Sequence, residues 1–186
     1  NGLLSLGLEK GDRVSILSQN SIEYLAIFFA CGQAGLVAHA LNWRLAKDEI
    51  SKILENGKPK VFICEGQFKD IKSDLEKEID FIDYWMEYGK GGDDSFEKLL
   101  KSSSSEEVKQ ALHTGDEDPF FILYTGGTTG ESKGALHTHK SAYFGMLNQT
   151  VAERIVPSDV YMLTGQMFHI PVLLAMNYTA HGCPIV

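Results

Sequence analysis

The sequence predicts an α/β fold in which helices flank a mainly parallel sheet, and three observations predict it. Short apolar runs recur at residues 13–18 (RVSILS), 36–41 (LVAHAL) and 60–64 (KVFIC), helix-length segments separate them, and glycines, Gly35 and Gly57, close those segments. Consecutive parallel strands need a crossover long enough to hold a helix, and such crossovers are right-handed. The alternation therefore implies layers of helix packed on a sheet.

The first strand leads into Asn20, with Glu23 three residues on, a capping pattern for a helix over 21–34 that Gly35 then stops. Within it Tyr24, Phe28 and Phe29 recur at helical spacing and read as core rather than as contacts to a cofactor. After the strand at 36–41, residues 47–56 form an amphipathic helix closed by Gly57, and 60–64 is the third strand. A charged helix at 68–78 and a strand at 79–84 follow. The composition then changes. Glycines and aspartates at 89–94 and the serine run at 102–105 flank the helical phrase SFEKLL, and the whole reads as an exposed connection. Beyond Pro119 the chain becomes apolar again, with a strand at 120–125, a glycine-rich loop, a strand at 134–139, a helix at 141–153, a strand at 159–163 and a helix at 170–180. The expected organisation is a first α/β subdomain at 1–88, an exposed connection at 89–117, and the start of a second α/β subdomain at 118–186.

With 186 residues and 44% hydrophobic composition the chain can bury one sizeable core or two small lobes. Seventeen Lys and Arg against twenty-five Asp and Glu give a formal charge of -8, which argues against a nucleic-acid groove or an anionic membrane surface as partner. A polyanion must be held locally. Cys31, Cys64 and Cys183 are widely spaced in apolar stretches with no CxxC pair, a pattern that fits reduced, buried thiols and a cytoplasmic protein. The apolar windows at 24–34 and 170–180 are too short to span a bilayer, and residues 1–8 lack the form of a secretory signal. An opening without Met, and an end at GCPIV that would expose a strand edge, are expected of the front portion of a longer protein.

The distinctive chemistry lies in TGGTTGESKG, residues 125–134, directly after an apolar strand. Glycines let the main chain approach an anion closely and turn successive N–H groups inward as a nest. Thr125, Thr128 and Thr129 add hydroxyl donors, and Lys133 adds a mobile point charge that follows a phosphate. The bland alternative is a flexible hairpin loop with a solvent-facing lysine. A Walker A loop is excluded because Ser132 precedes Lys133 and Gly134 follows it, and a Rossmann fingerprint because the glycine spacing is wrong and a strand follows.

At these residues the sequence resembles the AMP-forming superfamily of acyl-CoA synthetases, luciferases and peptide-synthetase adenylation domains. YTGGTTGESKG matches that family's signature of an aromatic residue, a Thr/Ser/Gly run, Thr-Thr-Gly, a residue that is usually followed by Pro, and Lys-Gly; Gly126 stands where Ser is frequent and Ser132 where Pro is usual. LGLEKGDRVSILSQNSIEYLAIFFACGQAG is similar to the family's opening helix, strand and helix, ALNWRLAKDEISKIL to its Asn-x-Arg-Leu segment, and MFHIP at 167–171 to its Phe-His segment beside the carboxylate pocket. The resemblance implies the N-terminal domain of an acetyl-CoA synthetase-like fold, truncated. It makes Thr125, Gly126, Gly127, Thr128, Thr129, Gly130 and Lys133 the ATP phosphate loop and sets His169 against the acyl group or the adenylate. The implied partners are ATP, a carboxylic acid and coenzyme A as co-substrate, with Mg2+ held by a ligand beyond the present sequence. In the family the magnesium-binding glutamate, the ribose-binding aspartate and the adenylation lysine also come from later segments, so the 186 residues alone are expected to be inactive.

The segments ALNWRL and YTGGTTG read most like fatty acyl-CoA synthetases. A ligase for an aromatic acid, including o-succinylbenzoate, would look similar over this stretch. From other classes, a non-catalytic nucleotide-binding module and a flavodoxin-like electron carrier remain to be weighed, the latter disfavoured because the loop comes late in the chain. For His169 a satisfied core position competes with a pocket role. His137 and His139 alternate on the expected strand, but with no third ligand at suitable spacing they read as ordinary strand residues and not a metal site. Asn42 and Arg44 fit a turn with an exposed arginine as well as a functional role.

Overall fold

The computed structural model describes residues 1–108, 114–125 and 132–186. Its elements are α1 (Gly2–Ser5), β1 (Arg13–Leu17), α2 (Ile22–Ala34), β2 (Val37–Leu41), α3 (Lys47–Gly57), β3 (Val61–Glu65), α4 (Lys69–Glu78, entered through a 3-10 turn at Gly66–Phe68), β4 (Tyr84–Tyr88), α5 (Ser95–Ser102), β5 (Pro119–Thr125), β6 (Lys133–Thr138), α6 (His139–Glu153) and α7 (Pro171–Ala180). One six-stranded sheet has the order β4-β3-β1-β2-β5-β6. All pairings are parallel except that of β6 with β5. The expected mainly parallel α/β architecture is present, and its strands come from both sides of residues 89–117.

Right-handed crossovers decide where the helices lie. The step from β1 to β2 and the step from β2 to β3 run in opposite directions along the sheet, so α2 and α3 must cover opposite faces. Two apolar clusters record this. Tyr24, Ile27, Phe28 and Cys31 of α2 pack with Ile16, Ala38, Ala40 and Phe121 on one face. Ile50, Ile53 and Leu54 of α3 pack with Leu17, Leu41, Phe62 and Leu75 on the other. The buried strands β1 to β3 are apolar on both faces, as a doubly covered parallel sheet requires. The three cysteines are buried and unbridged. Among the described residues no helix is long and apolar enough to cross a membrane.

Several local expectations shift by a residue or more, each for a physical reason. The N-cap of α2 is Ser21, whose hydroxyl accepts from Tyr24 N–H, and not Asn20. Gly35 takes the expected left-handed conformation at the end of α2, φ 69°. At the end of α3 that conformation falls to Lys58, φ 45°, while Gly57 is the last helical residue. Gly57 is small because of what lies against it: a Cβ there would sit 2.6 Å from the His39 ring. The strand expected at 79–84 begins only at Tyr84, since Ile79 and Ile82 are buried against α3 and α4 and the backbone meets the sheet where Asp83 and Tyr84 N–H donate to Lys60 O. Phe96 anchors α5 on β4, so the helical phrase within 89–117 is docked on the sheet. The strand expected at 159–163 reduces to one parallel bridge, Tyr161 with Ile185. His139 starts α6, held open by the Thr138 cap, so it does not continue the strand of His137.

His39 is fully buried on β2, and its Nδ1 lies 2.5 Å from Ser15 Oγ on β1, while Nε2 has no partner. Burial, aided by the Arg13 charge, pushes the imidazole down to about 3. The doubly protonated ring would be a buried charge whose Nε2–H has no acceptor among the described residues. Replacing Gly57 with Ala is expected to force the His39 ring aside and cost about 1–3 kcal/mol, measured as a lowered midpoint of chemical unfolding. Between the ordinary histidine value of 6.5 and about 3 the unfolded chain holds the extra proton, so His39 adds stability that is complete above this window and is lost as pH falls through it. Unfolding free energy measured from pH 6 down to 4.5 should fall by about 1.4 kcal/mol per unit on account of this one group, and His39→Asn should flatten that slope.

Candidate active site

Because β1, β2, β3 and β5 run parallel, their carboxyl ends share one edge of the sheet. The chain leaves β1 toward the face covered by α2 and leaves the adjacent β2 toward the face covered by α3. Loops that part in this way open a crevice at the strand ends, which is where open α/β sheets bind ligands. β5 ends next to β2 at the same edge, and from it the chain enters the glycine-rich loop.

Thr125 closes β5 and pairs directly with Lys133, the first residue of β6. Both are exposed, and among the described residues the Thr125 hydroxyl makes only a long contact, 3.5 Å, with Lys133 O. No carboxylate among the described residues pairs with the Lys133 ammonium. The hairpin thus presents a hydroxyl and an ammonium, side by side in register, at the mouth of the loop. Gly126, Gly127, Thr128, Thr129 and Gly130 lie outside the described residues. The base of the loop is anchored by Tyr124, whose hydroxyl donates to Asn56 Oδ1 at 2.7 Å and whose ring stands edge-on to His39 at 5.3 Å.

His169 lies in the turn that enters α7 and is exposed, while Met167 two residues earlier is buried. The backbone reverses through His169 N–H to Gln166 O and Val172 N–H to His169 O, and α7 then packs Val172, Ala175 and Met176 into the core on the α2 side. The core reading of His169 is not the one the structure adopts. Asn42 forms a turn by accepting from Arg44 N–H, and Arg44 is exposed with its guanidinium over the Trp43 ring. His137 stacks on Phe121 and His139 on Phe120, with centroids 4.5 and 4.8 Å apart; burial lowers the pKa of both. Among the described residues no group of three His, Cys, Asp or Glu converges on a position for a metal ion.

Sequence reasoning missed Asn20 and Trp43. Freed from capping α2, the Asn20 amide holds Gly165 and Met167, and Trp43 Nε1–H donates to Gln166 Oε1 at 3.0 Å. Their signal lay in position, each just past the end of a parallel strand, and a position becomes informative only once the strand order is known.

The AMP-binding enzyme family matches the chain over residues 1–186. The chain belongs to this family. Among curated relatives, the long-chain-fatty-acid–CoA ligase FadD13 of Mycobacterium tuberculosis is 33% identical over 181 residues, covering 96% of this chain and 35% of that protein. The chain thus spans about a third of the length of the curated relatives it matches. Among solved structures, the inhibitor-bound N-terminal domain of FACL13 from Mycobacterium tuberculosis superposes with a TM-score of 0.89 at 31% identity, covering 98% of this chain and 45% of that one. ATP-bound MatB from Rhodopseudomonas palustris does so with a TM-score of 0.86 at 27% identity, covering 98% and 36%. The adenylate-forming acyl-CoA ligases are therefore the group to which this chain is related, and its sheet is theirs in architecture.

The turn before α7 has little room. A Cβ on Gly165 would lie 2.3 Å from Pro171 Cγ. Gly165→Ala is expected to push the two limbs of the turn apart, costing about 1–3 kcal/mol and raising amide exchange at residues 166–173 more than in the sheet, as read by hydrogen exchange.

Proposed function

We propose that the complete protein activates a carboxylic acid with ATP, releasing pyrophosphate, and passes the acyl group from the resulting acyl-adenylate to coenzyme A. The observation that carries this reading is the loop TGGTTGESKG leaving the carboxyl end of a parallel strand, in a chain that the AMP-binding family matches throughout. In the first step a carboxylate oxygen attacks the α-phosphorus and the bond to the bridging oxygen of the β-phosphate breaks, so negative charge grows on the departing pyrophosphate. Thr125, Thr128, Thr129, the N–H groups of Gly126, Gly127 and Gly130, and the Lys133 ammonium are the donors assigned to that charge. In the second step the thiol sulfur bonds to the acyl carbon, AMP leaves, and the thiol proton passes to solvent. No covalent bond to the protein is needed in either step.

His169, exposed on its turn, contacts the acyl carboxylate or the adenylate. A fatty acid is the favoured substrate because the relative at 33% identity is a long-chain fatty acid ligase. Mg2+ is expected to accompany ATP, held by residues outside this sequence, and every step assigned here uses only groups of this chain and its substrates.

The test is carboxylate-dependent exchange of pyrophosphate into ATP by the complete protein, across aliphatic and aromatic acids. Exchange with fatty acids, lowered about 100- to 1000-fold by Lys133→Ala, is the expected result. Exchange confined to aromatic acids would overturn the substrate assignment, and ATP binding with no exchange for any acid would leave a nucleotide-binding module without turnover. Acyl-CoA formation by residues 1–186 alone would overturn the expectation that they are insufficient.

A further inference from the structure

Three consecutive residues, Gly165, Gln166 and Met167, are tied to the loops that follow β1 and β2. Asn20 uses both ends of its amide: Nδ2 donates to Gly165 O at 2.7 Å, and Oδ1 accepts from Met167 N–H at 2.9 Å. Trp43 Nε1–H reaches Gln166 Oε1 between them at 3.0 Å, and the Trp43 ring leans on Phe68 with centroids 6.3 Å apart. The two anchors stand on either side of the crevice at which the connections of β1 and β2 part. A bidentate amide across residues i and i+2 fixes the direction of the backbone as well as its position. Only a side chain that both donates and accepts can do this.

The tie is stronger than the α7 helix requires. Val172, Ala175 and Met176 already bury that helix against α2, and Asn177 joins it to α6 through bonds to Met146 O and Gln149 Oε1. What the Asn20 and Trp43 bonds add is confined to residues 165–167, just ahead of His169. Met167 is held inward, and the Gln166 carbonyl that receives His169 N–H is set by the same contacts. The backbone at His169 is therefore tied, through Gln166, to the loops after β1 and β2.

We propose that Asn20 and Trp43 are positioning residues for the carboxylate subsite, acting through His169 and touching neither substrate. This rests on the proposed reading of His169 as a contact to the acyl group. Breaking the clamp lets the ring drift from its place, and misplacement on the scale of an ångström is enough to cost a reaction about 100-fold. The clamp is built on the loops after β1 and β2, whereas the described ends of the phosphate loop, Thr125 and Lys133, belong to β5 and β6, so the expected loss falls on the acid and not on ATP.

The experiment is a thermodynamic cycle in the complete protein, reading pyrophosphate exchange with separate KM values for acid and ATP. Asn20→Ala is expected to lower kcat/KM for the acid by about 10- to 100-fold with the KM for ATP within about twofold, and Asn20→Asp, which keeps the acceptor and loses the donor, to fall between. In the Asn20→Ala/His169→Ala double variant the loss should equal that of His169→Ala alone, because a residue acting through His169 has nothing further to remove. Should Asn20→Ala fail to fold, Trp43→Phe, which keeps the ring and removes the N–H, gives the same comparison. Additive losses, equal effects on both KM values, or no effect of Asn20→Ala in a protein whose His169→Ala variant is impaired would overturn the clamp while leaving adenylation standing. An unimpaired His169→Ala would overturn it as well. Absence of exchange in the wild type would instead remove the function on which it rests.

Discussion

The structure depends on β1 sitting between β2 and β3 as a parallel strand. That placement sends consecutive right-handed crossovers in opposite directions, so α2 and α3 are forced to opposite faces and the central strands must be apolar on both. It also forces the loops after β1 and β2 to diverge. The crevice is thus a consequence of strand order and would exist for any side chains that fold this way; the side chains decide only what fills it. Asn20 and Trp43 stand just beyond the ends of those strands, and the turn before α7 is fastened to them and not to a helix.

The polar exception in the core connects the sheet to the loop. Ser15 and His39 face each other across β1 and β2, His39 is admitted by the missing Cβ of Gly57, and its ring meets Tyr124 one residue before the loop begins. Tyr124 is in turn held by Asn56, the neighbour of Gly57. A buried imidazole lowered to about 3 is neutral at any physiological pH, so it packs as an aromatic and brings no charge near a nucleotide. The end of α3 thereby supports the exit of β5 on two sides, through Asn56 on the hydroxyl and through Gly57 and His39 on the ring.

Period and length made the layered α/β class legible, and the density of donors singled out residues 125–134 as the candidate phosphate loop, because both are local properties of the chain. The register of caps was not. Asn20 and Ser21 are both good N-cap residues, and Glu23 fitted a pattern with the first of them, but the helix begins one residue later because Asn20 is occupied by residues about 145 positions away. Gly57 misled for the same reason. A glycine near a helix end suggests a left-handed cap, whereas here the demand comes from a histidine on another element. The strand expected at 159–163 is confined to Tyr161–Leu163, whose partner is the distant segment Pro184–Val186, bridged at Tyr161 and Ile185 and bonded from Tyr161 N–H to Pro184 O and from Leu163 N–H to Val186 O. Long-range partners decide all three, and no window of sequence contains them.

Charge explains why the site must be built as a loop. A chain of formal charge -8 repels a nucleotide at long range, so the attraction has to be concentrated where the phosphates arrive. On the proposed function, main-chain N–H groups and hydroxyls would supply that attraction with no net charge and one ammonium, Lys133, the rest, from the first residue of a strand whose partner, Thr125, ends the preceding one. Pairing in register brings the hydroxyl and the ammonium to the same point of the hairpin, whichever way the loop between them is arranged. The selectivity for an anion is then short-ranged and geometric. On the proposed function, a carboxylate approaching the same edge of the sheet past His169 would meet a separate element fastened to β1 and β2, which leaves the two substrates to independent parts of one sheet edge.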